Sequence, residues 1–119
     1  MAAFAEPSEG EPVLGIIGGA GVGAAARLYI DVSSLVRSAT GGLPRIALWN
    51  LPLTDAIEQA FTAASPAAQT RALVEGLIAE AFDRLGEAGA TVIAMPCNSL
   101  QRSAAPRPRR SGVASPSST

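Results

Sequence analysis

With 119 residues, 48% hydrophobic side chains and a net charge of −1, the chain can form one domain with a buried core and no more. All nine basic residues are arginine, which excludes a His-containing catalytic triad, a Cys/His pair, a His-based metal site and a phosphate-loop lysine. A single cysteine excludes an internal disulfide and a cysteine-cluster zinc site. The acidic start lacks signal-peptide character and no apolar run reaches membrane-spanning length, so we expect a cytoplasmic protein without a membrane partner.

The charge is distributed unevenly along the chain. Residues 1–101 contain five arginines and ten acids, whereas residues 102–119 contain four arginines and no acid. This change predicts a flexible N-terminal segment (1–12), an α/β half-domain (13–101) and a disordered basic tail rich in proline and serine (102–119). Four arginines without interleaved aromatic residues are a weak nucleic-acid footprint, and we expect no nucleic-acid partner.

The first predicted elements are a strand and a long helix. Residues 12–19 form an apolar run closed by glycines, which is typical of a strand buried on both faces. Residues 22–40 have apolar residues at helical spacing, and Gly41-Gly42 predict the end of that helix. The apolar positions of the helix are Ala25, Leu28, Val32, Leu35 and Val36.

A second strand is predicted at 45–50, followed by Thr54 as the N-cap of a short helix. The next helical pattern covers 65–90, with Ser65 as its cap and Pro66 at its first position. Its apolar stripe contains Leu73, Leu77, Ala81 and Leu85, flanked by Val74, Ile78 and Phe82. Gly89 predicts the end of the helix, and residues 91–95 form the third strand.

This order of strands and helices predicts an α/β fold, a parallel sheet with helices on both faces and right-handed crossovers. In such sheets ligands bind outside the carboxyl ends of the strands. The loops expected to carry function are therefore 18–24, 50–54 and 96–100.

The glycine loop supports three interpretations. Gly19, Gly21 and Ala24 satisfy G-x-G-x-x-A between a strand and a helix, which is the setting of a dinucleotide fingerprint. That fingerprint also needs an acid at the end of the second strand, where this sequence has Asn50. The alternatives are a bare tight turn and, favoured here, a loop whose amides bind a small carboxylate.

Three segments, "GIIGGAG", "ALWNLPL" and "EAGATVIAMPCNS", together resemble the aspartate/glutamate racemase superfamily over residues 13–101. The resemblance implies the N-terminal half of a two-domain racemase fold. It also implies cofactor-independent racemisation of a small amino acid or related carboxylate. In this family two cysteines act on opposite faces of the α-carbon, one as thiolate and one as thiol, which is the acid–base arrangement that inversion requires.

The resemblance assigns roles to particular residues. Cys97 matches the first family cysteine and would be catalytic, with no metal and no cofactor in the reaction. The implied substrate-binding residues are Gly19, Ala20, Gly21, Asn50, Asn98 and Ser99. Each has a structural alternative, since a lone cysteine after an apolar strand is often a buried packing residue. Asn50 and Ser99 also suit turns or caps.

Two departures from the family limit these expectations. Asp55 and Glu58 stand where aspartate-specific members have an arginine, which argues against an acidic substrate. The chain also has no second cysteine, and its Pro-rich tail replaces the helix expected after the thiol motif. We therefore interpret it as a truncated or frame-shifted racemase half that is inactive by itself because it lacks the second cysteine, and a homodimer is a possible assembly. The alternatives are a non-catalytic ligand-binding remnant and a small dinucleotide-binding module.

Overall fold

Strands and helices alternate in the computed structural model, which describes residues 10–19, 21–63 and 65–96 and the backbone of 113–114. The elements in chain order are β1 (Val13–Gly18), α1 (Val22–Thr40), β2 (Arg45–Asn50), α2 (Asp55–Phe61), α3 (Ala68–Glu87), β3 (Val92–Ala94) and β4 (Val113–Ala114). None of the described helices combines the length and apolarity that crossing a membrane requires.

The strands form one sheet in the order β2-β1-β3-β4, and every pair of neighbours is parallel. β1 lies between β2 and β3, so it is the centre of the three strands that the sequence predicts. The predicted general α/β architecture is thereby confirmed. β4 contributes only two residues, within the segment 102–119 for which the sequence predicts no fixed structure. The other residues of that segment, and residues 1–9, lie outside the described residues.

Helices cover the sheet on two faces. Side chains alternate along a strand, so Ile17 and Gly18 point to opposite sides. Ile17 belongs to the main core cluster, in which α3 and the strands pack together. A Cβ added to Gly18 would instead lie 3.1 Å from the Ala25 side chain of α1. The main cluster consists of Ile17, Leu51, Val74, Ile78, Ala81, Phe82, Leu85, Ile93 and Met95.

The predicted helix ends are confirmed by their backbone geometry. α1 ends at Gly41, whose φ of 81° is left-handed and whose N–H donates to the Arg37 carbonyl at 2.8 Å. After α3, Gly89 has a φ of 92°, and the N–H of Ala90 donates to the Leu85 carbonyl at 2.9 Å. Glycine tolerates this conformation without a Cβ clash, which is why it stops both helices.

One helix start is as predicted and the other is not. Thr54 caps α2, because its Oγ1 accepts the Ile57 N–H at 3.1 Å. The prediction of Ser65 as cap and Pro66 as first helical residue of α3 is wrong. The chain is still extended at Ala67, and the helix begins at Ala68 without a side-chain cap. Burial of its apolar face, rather than a cap, therefore stabilises α3.

The burial pattern also corrects two predicted core positions. Leu73 of α3 is 47% exposed, while Val74 and Ile78 are completely buried. Leu35 of α1 is 69% exposed, and Ala25 is the buried residue of that helix. Each residue step rotates a helix by about 100°, so an apolar residue next to a buried one can still lie at the edge of the buried face. Within the stripe predicted for α3, Ala81 and Leu85 are buried and Leu77 is partly buried, so only Leu73 departs from the prediction.

Candidate functional site

The candidate site lies at the carboxyl ends of the parallel strands. Gly18 at the end of β1 is in register with Asn50 at the end of β2, so the loops that follow these strands are adjacent. β3 ends at Ala94, in register with Ile16 of β1. Three of the predicted site residues, Gly19, Gly21 and Asn50, are described here. The other four lie outside the described residues: Ala20, Cys97, Asn98 and Ser99.

Gly19 packs directly against the backbone that follows β2. Its φ is 109°, and a Cβ at this position would lie 2.5 Å from the Leu51 carbonyl oxygen and 2.7 Å from the Leu51 nitrogen. The Leu51 N–H in turn donates to the Gly18 carbonyl at 2.8 Å. Glycine is thus required at residue 19 by both backbone conformation and space, and it holds the first two loops together.

Gly21 directly precedes α1 and has no side chain that could accept hydrogen bonds from the N–H groups of its first turn. It is the N-cap, with left-handed angles of φ 84° and ψ 62° and no side chain to cap the helix. Its carbonyl accepts the N–H groups of Ala24 and Ala25, at 3.0 and 3.3 Å. In the described part of the chain the N–H groups of Val22 and Gly23 make no backbone hydrogen bond. Unpaired N–H groups at a helix N-terminus favour an anion such as a carboxylate.

Asn50 brings a side-chain amide to the same region. Its Oδ1 would lie 2.7 Å from a Cβ added to Gly18, so the carboxamide lies over the Gly18 backbone. The Ala25 side chain of α1 would also lie close to that added Cβ, at 3.1 Å. Asn50 and α1 therefore both lie against Gly18. Asn50 is exposed and its side chain forms no hydrogen bond with any described residue. With no partner among the described residues, its donor and acceptor groups could bind a ligand beside the start of α1.

The charged residues next to this region are acids. Asp55 and Glu58 occupy the first turn of α2, four and seven residues after Leu51, and both are exposed. β2 itself ends in Asn50, so the strand end has an amide where a dinucleotide site has its ribose-binding acid. The described residues contain no cluster of three acidic or cysteine side chains suited to a metal ion.

Trp49 faces away from the site, as the alternation along β2 requires. It packs against the main core cluster, and the Arg84 guanidinium lies 5.9 Å from the centroid of its ring. Its Nε1 is buried without a hydrogen-bond partner among the described residues. Trp49 is thus a packing residue of the core rather than a residue of the site.

Sequence reasoning identified the glycine loop but not the residue that it packs against. Leu51 is 3% exposed and belongs to the core cluster, although it stands between Asn50 and Pro52 in what looks like a surface turn. Its role depends on the pairing of β1 with β2, which the local sequence does not encode. The one available signal was an apolar residue directly after the polar Asn50.

Comparison of the chain with models of protein families, with curated proteins and with solved structures found no match.

Proposed function

We propose that this chain supplies one of the two acid–base groups of a cofactor-independent amino-acid racemase, with Cys97 as the group that exchanges the α-proton. The observation that supports this most directly is the adjacency of the glycine loop and Asn50 at the carboxyl edge of the sheet. These two segments are far apart in sequence, and both belong to the three segments that resemble the racemase superfamily. The third segment continues from the end of β3 to Cys97 and Ser99.

The substrate would be bound through its carboxylate. The N–H groups of Val22 and Gly23 at the start of α1, which bond to no described backbone group, would provide donors and a partial positive charge, and the Asn50 carboxamide would provide a further donor. Asp55 and Glu58 in α2 would repel an anionic side chain. The substrate class is therefore a small amino acid or related carboxylate whose side chain carries no negative charge.

The chemistry requires a second group that these 119 residues do not contain. The Cys97 thiolate would take the α-proton from one face, giving a thiol and a carbanion, and could return the proton only to that face. Inversion needs a proton donor on the opposite face. The sequence has one cysteine, no histidine and no lysine, so the second thiol has to come from another polypeptide segment.

The test measures inversion and proton exchange separately. The purified chain is incubated with single enantiomers of small amino acids in deuterated buffer, followed by chiral chromatography and by loss of the α-proton signal in NMR. We expect no inversion, and any exchange should keep the original configuration. Robust inversion by these 119 residues would contradict the proposal.

The second part of the test adds a segment that bears the second cysteine of the family. This segment is either fused after residue 119 or supplied separately. Inversion should then appear, and Cys97→Ser should abolish it. The control is Leu73→Ser, which changes an exposed leucine on α3 and should leave the rate unaltered. A reconstituted protein that inverts its substrate equally well after Cys97→Ser would overturn the assignment of Cys97.

A further inference from the structure

β2 forms one edge of the sheet, and its outer side has backbone groups without partners in the described part of the chain. The Leu51 N–H donates to Gly18 of β1, so the backbone of residue 51 faces inward. Strand residues alternate in the direction of their hydrogen bonds. The N–H and C=O groups of Ile46, Leu48 and Asn50 therefore point outward, away from β1.

Beyond Arg45 at its first position, β2 lacks the features that normally prevent strand addition. Edge strands in monomeric proteins are usually protected by charges, prolines or bulges. β2 pairs with β1 over six residues in continuous register, and between Arg45 and Asn50 it contains only Ile, Ala, Leu and Trp. The outward backbone groups are thus presented by an apolar and regular strand.

The apolar surface continues from the edge strand onto α1. Leu48 is 45% exposed and lies on the α1 side of the sheet, since its Cδ2 and the Ala25 Cβ both lie within 3.7 Å of a Cβ added to Gly18. Val22 and Tyr29 precede and follow Ala25 by three and four residues, which puts them on the same side of the helix. They are 64% and 50% exposed.

We infer that this surface binds a second copy of the chain, with two β2 strands antiparallel about a two-fold axis at Leu48. The outward-facing residues are symmetric about Leu48, so Leu48 pairs with its own copy and Ile46 pairs with Asn50 in both directions. Each such pair exchanges two backbone hydrogen bonds, giving about six in total. The exposed Leu48 side chains meet across the axis on the α1 face.

The spacing of the helices agrees with this arrangement. The two β1 strands would be three strand spacings apart, about 14 Å. The α1 helices, which contact β1, would have a similar separation, compared with about 8–10 Å for helices in direct contact. The exposed side chains of Val22, Tyr29 and Leu48 from both copies would fill the space between them.

Charge favours the antiparallel orientation over a parallel one. Arg45 begins β2 and also forms an ion pair with Glu11 at 3.5 Å, while Asp55 and Glu58 follow the strand in α2. The antiparallel register brings Arg45 of one copy opposite Leu51 of the other, at the end that carries the acids. A parallel arrangement would place the two Arg45 residues at one end and the acids of both copies at the other, so that like charges repel.

The first test is the mass of the full chain in reducing buffer by sedimentation equilibrium. We expect a dimer of twice the 12.0 kDa chain. Leu48→Arg places two cations across the axis and should raise the dissociation constant at least tenfold. The matched control is Leu73→Arg on α3, because Leu73 is 47% exposed against 45% for Leu48. A monomeric parent chain, or a Leu48→Arg dimer as tight as the parent, would overturn the inference.

A cross-linking test fixes the register and does not depend on how Leu48→Arg folds. Paired residues in this register have Cα atoms about 5.5 Å apart, within the range that a disulfide spans. Leu48→Cys in a Cys97→Ser background should form a disulfide-linked dimer on mild oxidation, whereas Leu73→Cys in the same background should stay monomeric. Equal cross-linking at both positions, or none at Leu48, refutes the β2 interface.

Discussion

Replacing Gly19 by alanine tests whether the glycine loop and the end of β2 are locked together. A Cβ at residue 19 would be 2.5 Å from the Leu51 carbonyl oxygen, which belongs to the backbone and cannot rotate away. The φ of 109° adds a conformational penalty of about 1–3 kcal/mol for any residue with a Cβ. Moving Leu51, which is buried, adds about 1–3 kcal/mol of packing strain. We expect Gly19→Ala to lower the free energy of unfolding by about 2–6 kcal/mol.

Two neighbouring glycines separate the contributions to this cost. Gly21→Ala has the positive φ of 84°, but the nearest atom to its Cβ is 4.0 Å away, so we expect a loss of about 1–2 kcal/mol. Gly23 lies in α1 with nothing within 4 Å of its Cβ, and Gly23→Ala should stabilise the chain by roughly 0.5–1 kcal/mol. The difference in unfolding free energy between Gly19→Ala and Gly21→Ala measures the cost of the close contact with Leu51.

Urea unfolding followed by tryptophan fluorescence is the assay. Trp49 is the only tryptophan, and it packs against the core cluster next to the loop, so its emission reports unfolding of the relevant region. The expected order of stability is Gly23→Ala above the parent chain, then Gly21→Ala, then Gly19→Ala. If Gly19→Ala is no less stable than Gly21→Ala, the close approach to Leu51 does not exist in solution.

Two further predictions concern the residues after β2. Thr54→Ala removes the acceptor of the Ile57 N–H and should cost about 0.5–2 kcal/mol in the same assay, while Thr54→Ser should keep most of that stability. Asn50→Ala should change stability by less than about 0.5 kcal/mol, because the side chain is exposed and hydrogen-bonded to no described residue. In the chain reconstituted with a second-cysteine segment, the same substitution should raise the KM of the proposed racemisation at least tenfold, and an unchanged KM would remove Asn50 from the proposed site.

The sequence predicted the elements with strong local signals and missed a feature that local signals leave ambiguous. β1, α1 and β2 were predicted nearly to the residue, because glycine stops and apolar runs delimit them. Ser65-Pro66 is an equally good start signal, yet α3 begins at Ala68. Alternative first turns of an exposed helix differ little in energy, so the start depends on how the preceding loop packs.

Burial was harder to predict because it depends on the partner surface. The apolar residues of α3 cover a broad face of the helix, and contact with the packed sheet decides that Val74 and Ile78 are buried while Leu73 is exposed. The contact of Gly19 with Leu51 has the same origin, since it follows from the register of β1 and β2. Such pairwise contacts between distant segments have no signature in a single sequence.

The glycines and Asn50 do not support the proposed function equally. Gly19 and Gly21 are needed for the backbone to turn between β1 and α1, so the fold alone would keep them. Asn50 meets no comparable requirement, because its exposed carboxamide is bonded to no described residue. In the proposed function, this side chain would bind the substrate beside the N-terminus of α1. The proposed function of this edge therefore depends more on Asn50 than on the glycine motif that first draws attention to it.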